Sequence, residues 1–169
     1  MADFNLYASK LKELDKGFVE GYPGIKGASM MGVSLETYRK FYGRTKGIED
    51  LKDISAAEWT HIIKTEYWDA CHGDDIRNQS IAEIFIDWVV QSGTAGIRAF
   101  QRTQGMRADG IVGPNTLRIL NSPNEEVIFN RLKSSRESYY RKLTMNYPSS
   151  YKLLRGWSNR LNKFIFSHS

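Results

Sequence analysis

The sequence has few of the residues that form disulfides or bind metals. It contains one cysteine, Cys71, so no disulfide can form within the chain and no thiolate metal site can be built. The three histidines, His61, His72 and His168, show no ligand spacing. We therefore expect no metal and no other cofactor, and we expect Cys71 to be a small buried apolar residue.

Long hydrophobic runs are also missing. The longest, residues 84–90, is interrupted by Asp87 and is too short to cross a bilayer, so we expect no stable membrane insertion. The first residues, MADFNLYASKLKELDK, lack the apolar core of a secretory signal. We therefore expect synthesis in the cytoplasm without a signal peptide, and any export would depend on something outside this sequence.

The charge that is present is basic, with a net value of +5 and a pI near 9.3. A basic balance favours anionic partners such as nucleic acid, anionic membrane surfaces or anionic polymers. The Lys and Arg residues are dispersed, and basic and aromatic residues do not alternate along one face, as nucleic-acid binding would require. We therefore expect no nucleic-acid partner, and the charge alone selects no other.

Helical patterns dominate the chain. Apolar residues at helical spacing predict a first helix that starts near Asp3 and ends before Gly17. Residues 17–33 are rich in glycine and short apolar pairs, which predicts turns and small irregular strands. Ser34 is expected to start a short helix that Gly43 ends.

Ser-x-x-Glu capping boxes predict the starts of three later helices, at Ser55, Ser80 and Ser122, and Pro123 fits the first position of the third. Residues 81–90 are apolar nearly all round, which predicts a central buried helix. Further helices are predicted at 94–104, from Pro114, at 125–143 and at 150–165. With no linker and no internal repeat, these patterns predict one mostly α domain over residues 1–169, with a small irregular or β insert near the N-terminus.

Two groups of residues are candidates for a ligand site. The irregular segment after the first helix can hold polar groups against a ligand, and Asp15 and Glu20 lie beside and within it. Asp87 lies inside the most apolar helix, where a carboxylate must be paired or functional because burying it alone is costly. A carbohydrate cleft needs aromatic side chains beside acids and amides, and the candidates for substrate binding are Tyr67, Trp68, Asp69, Asp87, Gln91 and Ser92. Core packing is expected instead for Trp59, Trp88 and Trp157.

Several segments, in this order and spacing, carry a resemblance to a known family. They are DKGFV (15–19), KGASMMGVS (26–34), YWDACHGDDI (67–76), SIAEIFIDWVVQSG (80–93), FQRTQGMRADGIVGPNTLRILN (100–121) and GWSNRLN (156–162). On these segments the chain resembles the glycoside hydrolase family 108 muramidases with their C-terminal predicted peptidoglycan-binding region, a group that includes proteins labelled secretion activators. The sharpest match is ADGIVGPNTL (108–117), whose Asp-Gly turn before a Gly-Pro helix start is common in peptidoglycan-recognition modules.

The resemblance implies a lysozyme-like fold over nearly the whole chain. It divides the chain into a muramidase-like part, residues 1–93, and a predicted peptidoglycan-binding part, residues 94–169, which we expect to be integral to the same fold. It also implies that peptidoglycan is the partner and that the protein acts in the bacterial envelope after export or lysis. It indicates no oligomeric state.

The resemblance also places the catalytic residues. In the match without gaps, the general-acid Glu of the family falls on Asp15, its second acidic position on Gly24 and its Thr on Ser29. Muramidases of this type protonate the glycosidic oxygen with one carboxylic acid and orient a water molecule with a second group. Asp15 is one methylene shorter than Glu and Gly24 has no side chain. Glu20 is the alternative acid if the loop is shifted.

We therefore expect a muramidase-family protein that hydrolyses the N-acetylmuramic acid–N-acetylglucosamine backbone weakly. The alternative is a catalytically inactive peptidoglycan-binding pseudoenzyme that assists secretion or prophage lysis. In both cases we expect one groove between the N-terminal insert and the central helix, formed by Asp15, Ser29, Tyr67, Asp87 and Gln91.

Overall fold

The computed structural model describes residues 1–21 and 27–169, which are mostly α-helical. The α-helices of these residues are α1 Phe4–Leu14, α2 Leu35–Tyr42, α3 Ile48–Lys52, α4 Ala56–Ile62, α5 Gln79–Ser92, α6 Thr94–Thr103, α7 Pro114–Leu120, α8 Glu125–Asn146 and α9 Tyr151–Asn162. A π-helix, Ile63–Asp69, continues α4, and 3-10 helices lie at Gly73–Asp75 and Pro148–Ser150. In the described part of the chain, every helix is too short or too polar to cross a membrane.

A small sheet forms the insert near the N-terminus. Its strands are β1 Phe18–Val19, β2 Ser29–Met30 and β3 Val33–Ser34, in that order and antiparallel. Met31 and Gly32 join β2 to β3, and both have positive φ, as a tight two-residue hairpin turn requires. Gly32 is further required because a Cβ there would lie 3.0 Å from a Val90 methyl carbon. The mostly α fold with a small strand insert is confirmed.

The first two helices begin and end as predicted. Asp3 caps α1 by accepting a hydrogen bond from the Asn5 N–H at 2.7 Å. The Ser34 hydroxyl caps α2 by accepting from the Thr37 N–H, and Gly43 ends that helix with φ of 115°. Side chains close in sequence supply these hydrogen bonds, which is why the sequence pattern was sufficient.

One of the three predicted capping boxes is confirmed and two are wrong. Ser55 and Glu58 form the box at the start of α4. Helix α5, however, is capped by Asn78, whose side chain accepts from the Ile81 N–H at 3.1 Å, so Ser80 lies within the first turn.

Helix α8 begins at Glu125 after Asn124, and Pro123 lies outside it. The Glu125 carboxylate accepts hydrogen bonds from Asn78 and Ser169 instead of closing a box with Ser122. The Glu125 side chain is therefore engaged with partners distant in sequence and not with the backbone at the start of its own helix.

Helix α5 forms the centre of the core, as predicted, because its residues from Ser80 to Val90 are all buried. It packs against α6, α8 and the π-helix, and α8 packs in turn against α6 and α9. Trp59 and Trp88 are core residues, as expected. Cys71 is buried as well, and its burial raises the pKa of the thiol to about 12.

Candidate functional site

A cavity of about 470 Å³ lies between the C-terminal ends of α1 and α5 on one side and helices α8 and α9 on the other. Asp15, Gln91 and Ser92 form part of the first wall, and Tyr140, Trp157 and Arg160 form part of the second. Depressions of about 650 and 850 Å³ lie elsewhere on the described surface without an aromatic side chain in their walls, and one of about 590 Å³ near the N-terminus has Phe4 in its wall. The cavity at Asp15 therefore combines a carboxylate, aromatic rings and amides.

Asp15 follows the last residue of α1, and its N–H donates to the Leu11 carbonyl at 2.9 Å. One carboxylate oxygen lies 3.6 Å from a guanidinium nitrogen of Arg160. The same oxygen lies 3.7 Å from the place that a Cβ on Gly32 would occupy. Asp15 is therefore held between the strand hairpin and α9, and it forms an ion pair.

Arg160 also binds the buried carboxylate of Asp87. Its Nε and Nη2 donate to the two oxygens of Asp87 at 3.0 and 2.7 Å, which is a bidentate pair. Arg136 donates to Asp87 from Nη2 at 2.6 Å, to the Ile84 carbonyl from Nη1, and to the Tyr140 hydroxyl from Nε. The side chains of Asp87 and Arg136 are wholly buried.

The two guanidinium groups keep Asp87 charged. Burial alone would raise the pKa of Asp87, but Arg160 and Arg136 outweigh this effect and lower the pKa to about 2. Burial likewise opposes the charge of Arg160, yet the Asp87 carboxylate raises the pKa of that guanidinium. Asp87 is thus the paired counterion beneath the cavity. Its side chain has no exposed surface, and its role in substrate binding remains a prediction.

Trp157 lies on α9 and is half-buried in the cavity wall, so its predicted place in the core is wrong. Its ring stacks on Tyr140, with centroids 5.2 Å apart and an interplanar angle of 28°. Burial raises the pKa of Tyr140, which therefore remains a neutral phenol against the Arg136 guanidinium. The sequence reasoning missed Tyr140, Trp157 and Arg160 as site residues, although the GWSNRLN segment that it singled out contains two of them.

Gln91 and Ser92, at the end of α5, lie in the cavity wall as candidates for substrate binding. The side-chain nitrogen of Gln91 is buried and has no hydrogen-bond partner among residues 1–21 and 27–169. A buried amide donor without a partner is costly, so this nitrogen is suited to donate to a ligand oxygen.

The π-helical residues lie away from this cavity. Trp68 is wholly buried, stacks on Tyr7 and donates to Asp74 at 2.7 Å. Asp69 is half-exposed and pairs with Lys64 at 2.6 Å. Tyr67 is buried, and burial raises the pKa of its phenol. The binding roles of Tyr67, Trp68 and Asp69 remain predictions, and none of the three lies in the cavity wall.

The remaining catalytic candidates lie in or beside the strand insert. Ser29 is buried in β2, and its hydroxyl has no hydrogen-bond partner in the described part of the chain. Glu20 is exposed directly after β1. Gly24, the position matched to the family's second acid, lies outside the described residues. The structure thus brings Asp15 and Gln91 together in one cavity, whereas Asp87 lies beneath it and Tyr67 is not in its wall.

Residues 1–21 and 27–169 contain no group of three or more His, Cys, Asp or Glu side chains arranged to hold a metal ion.

Two family models match the chain, and their boundary falls between the residues of the two cavity walls. Residues 17–93 match the family model described as glycosyl hydrolase 108, and residues 95–162 match the one described as predicted peptidoglycan domain. Gln91 belongs to the first region and Trp157 and Arg160 to the second, while Asp15 lies just before the first. No curated protein matches the chain in sequence.

Among solved structures, the chain is similar to SagA of Brucella abortus. The two share 22% sequence identity, with a TM-score of 0.74 over 96% of this chain and 97% of that chain. At this level of identity the similarity shows the fold, which supports the lysozyme-like architecture predicted from the sequence.

Proposed function

Because the chain belongs to the glycosyl hydrolase 108 family over residues 17–93 and has the predicted peptidoglycan domain over residues 95–162, we propose that the cavity at Asp15 binds the peptidoglycan glycan backbone and cleaves it weakly. The protein is a peptidoglycan-directed member of a muramidase family.

The composition of the cavity is the observation that carries the proposal. Trp157 and Asp15 lie in the wall of the same cavity, and the Gln91 amide donor has no partner in the described chain. Sugars bind in sites where apolar rings lie beside a few placed polar groups, and a volume of about 470 Å³ is in the usual range for a ligand site. Both family regions contribute to this cavity.

The expectation of weak cleavage rests on the acidic side chains in the cavity wall. Glycoside hydrolysis of this class uses two carboxyl groups, one to protonate the leaving oxygen and one to act on water or the sugar. Asp15 is the one acidic residue in the described cavity wall, and the sequence match places Gly24 at the second position. The Asp15 carboxyl group also lies 3.6 Å from a guanidinium nitrogen of Arg160, which holds it in place.

The second candidate is a pseudoenzyme that binds peptidoglycan without cutting it and assists secretion or lysis. The ion pair between Asp15 and Arg160 favours this candidate, because the pair serves the architecture of the cavity whether or not a proton is transferred. The two candidates share the same binding site. They differ in whether glycan fragments are released.

Binding is tested by co-sedimentation of the purified full chain with insoluble peptidoglycan. Trp157→Ala should weaken binding at least tenfold, since aromatic anchors in a site dominate its affinity. Tyr151→Ala is the matched control, because Tyr151 is an exposed aromatic residue on the same helix outside the cavity. Equal losses in the two variants, or no binding by the wild type, would contradict the proposed site.

Cleavage is tested by measuring the release of reducing ends and of soluble muropeptides by mass spectrometry. Slow release that Asp15→Asn abolishes would support the weak muramidase. Binding without any release, even after prolonged incubation at high protein concentration, would support the pseudoenzyme.

A further inference from the structure

The positive charge of the protein is concentrated near its C-terminus. Residues 138–169 contain six of the 24 Lys and Arg residues and none of the 19 Asp and Glu residues. The rest of the chain has 18 basic and 19 acidic residues, so the whole net charge of +5 comes from this stretch. The six cations are Arg141, Lys142, Lys152, Arg155, Arg160 and Lys163.

Three of these cations lie at the turn between α8 and α9 without an acidic partner. Arg160 is bound to Asp87, and Arg141 pairs with Glu137 at 3.2 Å. Lys142, Lys152 and Arg155 are exposed and form no ion pair in residues 1–21 and 27–169. Their charges are therefore available to an external anion.

Large apolar side chains are exposed at the same turn. Met145 is 78% exposed, Tyr147 43% and Tyr151 71%. Small polar residues of the turn lie inside instead, because Thr144 and Ser150 are buried. This is the reverse of the usual arrangement, in which apolar side chains are buried and short polar ones face water.

The turn has a defined backbone. The Tyr147 N–H donates to the Leu143 carbonyl at 2.8 Å, and both the N–H and the hydroxyl of Ser150 donate to the Tyr147 carbonyl, at 2.8 and 2.6 Å. The exposed rings and cations are thus presented by an ordered structure.

We propose that this turn docks peripherally on the surface of an anionic phospholipid bilayer. The docking surface, called here the α8–α9 tip, consists of Lys142, Met145, Tyr147, Tyr151, Lys152 and Arg155. Lys and Arg bind anionic headgroups, and tyrosine rings favour the headgroup level, with the apolar part of the ring toward the acyl chains. Met145 enters the same interface with its unbranched apolar side chain.

A bilayer fits the α8–α9 tip better than a soluble polyanion does. A polyanion would engage Lys142, Lys152 and Arg155 but would gain nothing from the exposed Met145. In addition, Trp157 follows Tyr151 by fewer than two helical turns along α9. Docking at the α8–α9 tip would therefore keep the cavity close to the membrane surface.

The first experiment uses the purified full chain in vesicle co-sedimentation. Wild type should bind vesicles of phosphatidylglycerol and phosphatidylcholine, fail to bind pure phosphatidylcholine vesicles, and be released by high salt. The triple variant Lys142→Glu, Lys152→Glu, Arg155→Glu should lose about a hundredfold in partitioning, since each basic residue contributes about fivefold at an anionic surface. The matched control is Arg77→Glu, Arg102→Glu, Arg118→Glu, which changes the net charge equally at exposed positions elsewhere.

The second experiment separates a bilayer from a polyanion. Met145→Ser with Tyr151→Ser should weaken vesicle binding roughly tenfold and leave binding to heparin unchanged, because only the bilayer offers an apolar interior. Leu6→Ser with Ile111→Ser is the control, because both residues are exposed and apolar and lie outside the α8–α9 tip. Circular dichroism checks that each variant is folded.

Three results would overturn the proposal. They are equal binding to phosphatidylcholine vesicles, equal losses in the two charge-reversal triples, and unchanged vesicle binding by the Met145 and Tyr151 double variant. The last result together with tight heparin binding would identify the α8–α9 tip as a polyanion site.

Discussion

The guanidinium of Arg160 lies 3.6 Å from the carboxylate of Asp15. Asp15 ends the first helix and Arg160 lies near the end of the last one, so this contact joins the two ends of the chain. The same guanidinium binds Asp87 in the central helix. Arg160 therefore fixes the position of the proposed site residue and at the same time balances a buried charge.

Arg160→Ala should destabilise the protein by about 3 kcal/mol, because removing one partner of a buried ion pair leaves the other charge poorly compensated. Urea denaturation measures this change. Arg155→Ala is the matched control, since Arg155 lies on the same helix, is exposed and forms no ion pair in the described chain. A loss below 1 kcal/mol for Arg160→Ala would show that Arg136 alone compensates Asp87.

The free energy of unfolding should decrease as the pH is lowered through the range in which Asp87 titrates. Its pKa is about 2 in the folded protein and has an ordinary value of 3.8, so the unfolded chain takes up the proton first as the pH falls. This carboxylate therefore contributes about 2 kcal/mol above pH 4, and the contribution is lost between about pH 4 and pH 2. Urea midpoints across this range measure the loss. NMR titration of the Asp87 carboxyl carbon would contradict the prediction if the group were protonated above pH 4.

Restoring the two acids should raise the rate of cleavage. Asp15→Glu combined with Gly24→Asp places an acid and a base at the positions that match the family pattern. General acid–base assistance contributes roughly a hundred- to ten-thousandfold per group, and a turbidity assay on peptidoglycan measures it. Each single change should help far less, because the two groups act as a unit. Strong lysis by the wild type that Glu20→Gln abolishes would instead identify Glu20 as the acid.

Residues 94–169 should not separate from residues 1–93 as an independent unit. The Phe85 and Phe100 rings pack 5.5 Å apart, and Asp87 binds Arg136 and Arg160 from the second part. Cutting the chain near residue 93 would expose these rings and leave the Asp87 charge unpaired. Limited proteolysis should therefore yield no stable fragment that ends there, and the appearance of one would contradict the single-domain prediction.

Among the candidate residues, the sequence identified those whose local context was distinctive. Asp15 follows the first helix and Gln91 ends the central one, and both lie in the cavity. A tryptophan at helical spacing from apolar residues is usually buried, which is why the sequence predicts a core position for Trp157. Leu161 and Phe164, which follow Trp157 at that spacing, are buried. Because of the way α9 packs on α8, Trp157 stacks on Tyr140 and lies in the cavity wall.

Features that depend on neighbouring residues could be predicted from the sequence. The caps of α1 and α2 at Asp3 and Ser34, the apolar central helix and the start of α7 at Pro114 all follow from side chains a few positions apart. The tertiary structure alone decided which partners Asp87 has, because Arg136 and Arg160 are 49 and 73 residues away from it along the chain. No local pattern encodes such pairings, since they arise only when packing of the helices removes the charges from water and brings them together.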